Sequence, residues 1–583
     1  MRRWLTVGLG MLASVACAGD SATAAESVAP SPSVTTSHSQ PQSALAPHAE
    51  PEVTETVDKV LTAGDHPGLR WSAIPDAAPL LKPLYEAEAD RLLWFERNAP
   101  VPGVERALAA ISAAGDHGLD PADYDAAPLG EQWTTIKAGT ASAPERALFD
   151  LGLSVAAARL IRTVHVGRVD PRTMQWGYTV VPKKIDVAVV VREVREGKGL
   201  GATLDELQPQ VAHYVRARKT LAAYKAMARP GEPVTVPALA KGQTKVEPGR
   251  TWDGVPQLTA RLRALGDLAG AAASATDTGN VYAPPLVQAV KRFQERHGLE
   301  ADGVIGAGTL RALNVPLAQR VKQIELAMER MRWLPELDDR PNLFVNVPLF
   351  RMWATDPRGG EEPLRMNVVV GQSLNHQTPL FVEQLEYVIF RPYWNPPYGI
   401  TVKEIVPKAR RDPGYMAREN LEIVASGADN APALEPTPEN LSKVVAGKLS
   451  IRQKPGEKNS LGLAKFIFPN AEAIYMHGTP AQQLFSRARR DFSHGCIRLE
   501  DPARLGEWVL RDQPEWTRAR IDAAMKGDRP TRVNLRQPIT VVLFYDTVHV
   551  NSESEVFFAE DIYGHDRTLG AALEHGYPYL TKG

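Results

Sequence analysis

Cysteine is nearly absent: the 583 residues hold two, Cys17 and Cys496. A framework of several disulfides therefore cannot hold the fold together. An excess of charge of either sign is missing as well, with 67 Lys and Arg against 68 Asp and Glu. A net charge of -1 gives no basic field to release counterions, which argues against a nucleic-acid partner held that way. Past the N-terminus no segment has the ~18 consecutive apolar residues of a membrane span. There is no Walker loop and no glycine fingerprint in a strand-to-helix context. Ser-x-x-Lys, the G-x-S-x-G elbow and H-E-x-x-H are missing too. Phosphate cradles and activated serines are set aside on these grounds.

What is present is ordinary globular material, 44% hydrophobic and 23% charged. A chain this long exceeds one core, so three or four domains are expected. Arg2 and Arg3 precede a short apolar run, Trp4 to Ala16, and small residues follow. That is the pattern of a signal peptide over residues 1–24, read at Ala22-Thr23-Ala24 or Ala16-Cys17-Ala18. It predicts export to the periplasm. Acylation at Cys17 ranks second, because Ser14 stands where such signals usually carry Leu. Residues 25–75 are rich in Ala, Ser, Pro and Thr and read as a disordered linker.

Helical spacing begins near Leu80. Residues 76–245 read as a helical scaffold domain, whose long helix "PERALFDLGLSVAAARLIRTVHV" stops at Gly167 before Asp170-Pro171. In 246–316, Leu258, Leu262 and Leu265 recur at i, i+4 and i+7, as do Leu286, Val290 and Phe293. A Gly-rich turn then enters a third short helix. The string "AVKRFQERHGLEADGVIGAGTLRALN" resembles the bacterial peptidoglycan-binding module; a generic helical bundle is the competing reading. Residues 317–340 form a connecting helix with Val321, Ile324, Met328 and Met331 on one stripe. From Leu343 the period changes to two, so 341–535 reads as a β-rich domain with a helical insert at 400–450. Residues 536–583 read as terminal strands. The fold class expected is therefore α+β and multidomain.

The chemistry gathers at "RRDFSHGCIRLED", Arg489 to Asp501. A thiol reacts as its thiolate and so needs a base or positive surroundings. Cys496 has His494 and Arg498 two residues away on either side, and His477 ends the strand "AIYMHGTP". Gly478 and Gly495 leave room for close approach. Three bland readings compete: the two histidines and Cys496 as zinc ligands, Cys496 as a buried structural thiol, and Arg498 as a surface charge.

The whole string "HGTP…LFSRARRDFSHGCIRLEDP" closely resembles the signature of the L,D-transpeptidases, in which HGT and SHGCIR occur in this order. The likeness extends to "IFRPYWNPPYGITVKEIVPKARRDPGYM", "IRQKPGEKNSLGLAKFIFPN", "FFAEDIYGHDRTL", "HVGRVDP" and "GLDPADY", and so to the larger multidomain branch of that family, over about residues 80–570. It implies a scaffold domain, a peptidoglycan-binding module and a β-rich catalytic domain with a helical cap. It implies that Cys496 attacks a peptidoglycan tetrapeptide stem between diaminopimelate and the terminal D-Ala. D-Ala leaves, and the thioester passes to a neighbouring stem as a 3→3 cross-link. Hydrolysis or attachment of a lipoprotein by the same thioester chemistry is the alternative. His477 is then the general acid/base, His494 a positioning group, and Arg498 a carboxylate binder. Backbone N–H groups near Gly495 and Cys496 form the oxyanion site. Ser493, Tyr393, Trp394 and Tyr475 line the substrate cleft, and the insert acts as a lid. No cofactor and no metal are implied. The partners are stem peptides and glycan, with cell-wall synthesis proteins beside them; oligomeric state is left open.

Overall fold

The computed structural model describes residues 50–579, apart from 89–90, 97, 175, 177, 179, 181–182, 230–233, 269–278, 338, 359–362, 375, 429 and 577–578. The signal peptide at 1–24, Cys17 and the first half of the 25–75 linker lie outside the described residues. The linker is shorter than its composition suggests. Pro51–Ala63 is a helix that buries Val53, Val57 and Val60, and Leu69 and Ile74 join the same core. Those valines stand at i, i+4 and i+7, an apolar stripe hidden in a composition average dominated by small and polar residues.

The long helix α1 spans Ala143–Val166. Ser142 and Glu145 form a capping box at its start, and it ends at Gly167 as the sequence predicts. Almost every side chain after its first turn is buried, because other helices surround it. Its Asp150 carboxylate accepts hydrogen bonds from Tyr85 Oη (2.5 Å), Leu93 N (3.0 Å) and Trp94 N (2.7 Å), which satisfies a fully buried acid. A further helix, α2, spans Ala212–Ala228.

Three helices build the second core: α3 (Val255–Ala264), α4 (Pro284–Arg296) and α5 (Ala307–Leu313). Leu258, Leu262, Leu286, Val290 and Phe293 are buried in it as their spacing requires, while Leu265 packs at its margin. The Gln294 amide donates to Val304 O (2.9 Å) and accepts from Gly303 N (2.8 Å), tying α4 to the Gly-rich turn. Gly303 has φ +78°, and a Cβ there would stand 2.9 Å from Val287. This unit reaches further back than residue 246. Val236 belongs to its core and donates to Asn314 Oδ1 (2.9 Å), and Lys245–Val246 pairs with Ile305–Gly306.

The C-terminal half folds around nine strands. They are β1 (Asn342–Asn346), β2 (Arg351–Thr355), β3 (Leu364–Gly371), β4 (Phe381–Phe390), β5 (Ala464–Ile467), β6 (Met476–His477), β7 (Asp491–Ser493), β8 (Ile497–Leu499) and β9 (Thr531–Phe544). Their order is β7-β3-β8-β6-β5-β4-β9-β1-β2, and β2 also pairs with β3, so the sheet closes on itself. Val345, Val368, Val370, Val388, Phe466, Met476, Ile497 and Val541 fill its interior. In β9 the pairing with β4 shifts register between Asn534 and Ile539, where Pro538 has no N–H to give the ladder.

Two expectations need correction. Residues 536–583 are not a separate pair of strands: β9 is central to the sheet, only Val548–Val550 and Val556–Phe558 form a hairpin, and His565–Glu574 is a helix. A boundary at 535 cuts β9 in two. The period of two was read correctly, but it carries no information on which strands pair. The 400–450 insert is also not all helical. Its short helices pack on a three-stranded sheet of Leu421–Val424, Ala433–Leu434 and Ser450–Gln453.

Helix α6, Leu317–Arg332, is more than a connection. Ile324, Met328 and Met331 are buried as the stripe predicts, but so are Glu329, Arg330 and Arg332. Glu329 accepts from the Arg168 and Val169 backbone N–H groups, from Arg168 Nε (3.3 Å) and from Arg332 Nη1 (2.8 Å). Arg332 continues to the His117 carbonyl and to Tyr214 Oη (3.1 Å). Burial alone would raise the Glu329 pKa; the Arg168 and Arg332 charges outweigh it and hold the carboxyl below its usual range. Arg330 pairs with Asp566 (2.6 Å) on the C-terminal helix.

Replacing Glu329 with Ala leaves two buried guanidinium groups uncompensated and is expected to cost about 3–5 kcal/mol in denaturant unfolding. Acid should destabilise the fold. Burial holds His117, His477 and His565 at about 3 and His549 at about 2, so each takes up a proton on unfolding below pH 6.5. Stability then falls as pH drops from 6.5 toward 3. Asp150, raised to about 6 by burial, opposes this over a shorter span. Unfolding midpoints at pH 7.5, 6 and 4.5 test the sign.

Candidate active site around Cys496

Strand β6 is two residues long, and its alternation divides core from site. Met476 is fully buried in the sheet interior and His477 turns to the other face. His477 stands opposite Lys465 of antiparallel β5 and opposite Arg498 of parallel β8. Directly paired residues share a face, so Lys465, His477 and Arg498 form one row across three strands. Their neighbours Phe466, Met476 and Ile497 form the matching apolar row behind it.

Cys496 lies in the turn that enters β8. Gly495 has φ +113°, and a Cβ there would meet Ile474 at 3.0 Å, so the position needs glycine. Ser493 Oγ donates to Cys496 O (2.6 Å) and accepts from Gly495 N (3.1 Å). Thr378 Oγ1 donates to Gly495 O (2.7 Å) and accepts from Gly371 N (2.9 Å), while Tyr563 Oη donates to Gly371 O (2.6 Å). The thiol is thus placed by a backbone clamped on two sides. The Gly495 N–H is spent within this clamp. The Cys496 N–H has no acceptor among the described residues, which leaves it as the donor of the pair expected to hold an oxyanion.

His477 is 5% exposed. Its Nδ1 lies 2.5 Å from the Gly478 carbonyl, which can only accept, so Nδ1 carries the proton. A backbone carbonyl therefore orients the ring. Burial, then the Arg498 charge, hold its pKa at about 3 against the pull of that carbonyl, and Lys465 adds to the effect. The imidazole is neutral at physiological pH. Burial raises the Cys496 thiol, while Tyr475, Lys465 and Arg498 pull it down. No hydrogen bond joins Cys496 and His477 in this resting arrangement among the described residues.

The Tyr475 ring lies 5.7 Å from that of His477 and carries the Lys465 ammonium on its face. Arg498 is half-buried, with no carboxylate partner among the described residues. The remaining candidates sit elsewhere. His494 reaches Glu404 of the insert, Nε2 to Oε1 3.0 Å, and leans on His376. Tyr393 lies under Arg452 (4.5 Å), and Trp394 exchanges backbone hydrogen bonds with Gln453, so both found the insert. Three site residues carried no motif signal: Lys465, Thr378 and Tyr563. Lys465 and Tyr563 lie inside strings the resemblance had covered, but only strand pairing and turn packing reveal their contacts. Among the described residues no three His, Cys, Asp or Glu side chains gather as a metal site.

Because His477 is neutral down to about 3, the acid limb of kcat/KM should lie below pH 6.5 rather than at an ordinary histidine value. A pH–rate profile from 4.5 to 8 with a peptide substrate checks this; an inflection at 6.5 belonging to His477 would contradict it.

Residues 340–533 match the family model described as "L,D-transpeptidase catalytic domain". Residues 253–313 match one described as "Putative peptidoglycan binding domain", and 79–221 one described as "Scaffold domain". A Haemophilus influenzae protein named "Putative L,D-transpeptidase" is 28% identical over 251 residues, 43% of this chain and 49% of its own. The match therefore spans about half the length of that relative. No described helix is long and apolar enough to cross a membrane.

Proposed function

We propose that the L,D-transpeptidase catalytic domain this chain carries acts through Cys496 on peptidoglycan tetrapeptide stems, releasing D-Ala and forming 3→3 cross-links. The observation that carries the reading is the row of Lys465, His477 and Arg498 beside the thiol: two cations and a neutral base around one nucleophile. The peptidoglycan-binding domain at 253–313 supports the substrate class.

The chemistry balances with these groups. The sulfur's proton passes to His477 Nε2 as Sγ bonds to the carbonyl carbon between diaminopimelate and D-Ala. The oxyanion lies against the Cys496 N–H, an interaction worth several kcal/mol in acyl transfer. Collapse breaks the C–N bond, and the imidazolium gives its proton to the departing amine. Lys465 and Arg498 disfavour the imidazolium, so they sharpen His477 as an acid toward D-Ala. An acceptor amine then attacks the thioester, its proton goes to His477, and Sγ leaves to recover it. Arg498 serves a substrate carboxylate. His494, through Glu404, ties the reactive turn to the insert, which acts as the lid. The scaffold and peptidoglycan-binding domains hold the strand near the site, and residues 1–24 direct export to the periplasm.

The test is Cys496→Ala against the parent with purified tetrapeptide muropeptides, products read by mass. Cross-linked dimers with the parent, reduced on the order of 10³-fold or more in the variant, are expected. Tripeptides in place of dimers would mean that water is the acceptor. Undiminished dimers from the variant would sink the reading.

A further inference from the structure

Lys465 has a surrounding that its place on the sheet does not require. Its ammonium lies 3.8 Å from the centroid of the Tyr475 ring. Among the described residues it has no carboxylate partner, and the acid that would offset its charge is Cys496 once ionised. A half-buried lysine loses hydration, and burial accordingly lowers its pKa. Such a cost persists where something nearby uses the charge.

The groups that face the sulfur come from three directions. Lys465 projects from β5, Tyr475 and His477 from β6 and the residue before it, and Arg498 from β8. His494, on the thiol's own turn, is engaged with Glu404 and His376. The charges acting on the thiol are thus positive, and His477 is not among them while it is neutral. The Tyr475 ring holds the Lys465 ammonium on its face, and the tyrosine acts on the thiol together with Lys465 and Arg498.

We propose that Lys465 is a positioning residue for Cys496: its ammonium, seated on the Tyr475 ring in the strand row with His477 and Arg498, stabilises negative charge on the sulfur. In the free enzyme burial holds the thiol above its ordinary pKa, and Lys465 and Arg498 offset part of that cost. During attack the proton goes to His477 and the same cations hold the developing charge. Arg498 is thereby available to a substrate carboxylate without leaving the thiolate uncompensated. The inference rests on Cys496 being the acyl carrier, but its readout needs no turnover.

The experiment uses the full chain with Lys465→Met, Lys465→Gln and Lys465→Arg. Alkylation of Cys496 by iodoacetamide is followed between pH 5.5 and 10 on its own peptide by mass spectrometry, so that Cys17 does not interfere. Lys465→Met and Lys465→Gln should move the midpoint of the rate–pH curve up by about one pH unit and slow alkylation at pH 7.5 about tenfold. The thermal midpoint should stay near the parent's, and Lys465→Arg should restore the parent curve. If Lys465→Met does not fold, the Gln and Arg variants decide the same question. An unmoved alkylation curve with a raised KM for tetrapeptide makes Lys465 a substrate anchor and overturns the proposal. An unmoved curve with unchanged kinetics overturns it too. Should Cys496→Ala retain cross-linking, the transpeptidase reading fails first, whatever the alkylation curve gives.

Discussion

The architecture depends on one buried carboxylate. Glu329 sits on α6 with no exposure, and three parts of the chain converge on it: the "HVGRVDP" turn after α1, Arg332 of its own helix, and through Arg332 the His117 carbonyl and Tyr214 of α2. An acid so placed is tolerable only if every partner is present. That condition sets where the scaffold helices sit against the helix that leads into the catalytic sheet. Gly167 shows the constraint from the other side, since a Cβ there would meet Glu329 Oε1 at 3.0 Å and Trp333 at 2.9 Å. One residue further along α6, Arg330 pairs with Asp566, so the same helix also fixes the C-terminal helix.

The site inverts that logic. At Glu329 one carboxylate holds two buried guanidinium groups, whereas around Cys496 the positive charges have no acid partner among the described residues. Lys465 and Arg498 are desolvated, and the histidine between them in the strand row is kept neutral by its burial first and by the same two charges after it. An arrangement that is costly while the sulfur is protonated becomes favourable when negative charge arrives. The proposed negative charge on the sulfur would form beside these cations.

The reactive turn is held by the rest of the domain rather than by its own sequence. Ser493 closes it from within, Thr378 grips the Gly495 carbonyl from the β3–β4 connection, and Tyr563 braces Gly371 and Thr378 from the segment before the last helix. On the open side, the contact between His494 and Glu404 joins the turn to the insert. That contact ties the insert to the histidine two residues before Cys496.

The sequence by itself determined the domain order, the helix stripes, the period-two strands and the residues of the "SHGCIR" string, because each is written in local spacing. It determined the end of α1 at Gly167, while the need for glycine at 495 came from the structure. It placed the start of folded structure too late, since composition masks the valine stripe of Pro51–Ala63, and it missed the strands of the insert. Tertiary structure alone decided that β9 is central, that Glu329 is a hub, and that Tyr393 and Trp394 found the insert while Tyr475 carries the Lys465 ammonium on its face. It also set Lys465, 31 positions before Cys496, in the row with His477 and Arg498. The physical reason is register: which side chains share a face across paired strands depends on partners far apart in the chain, and no local period encodes them.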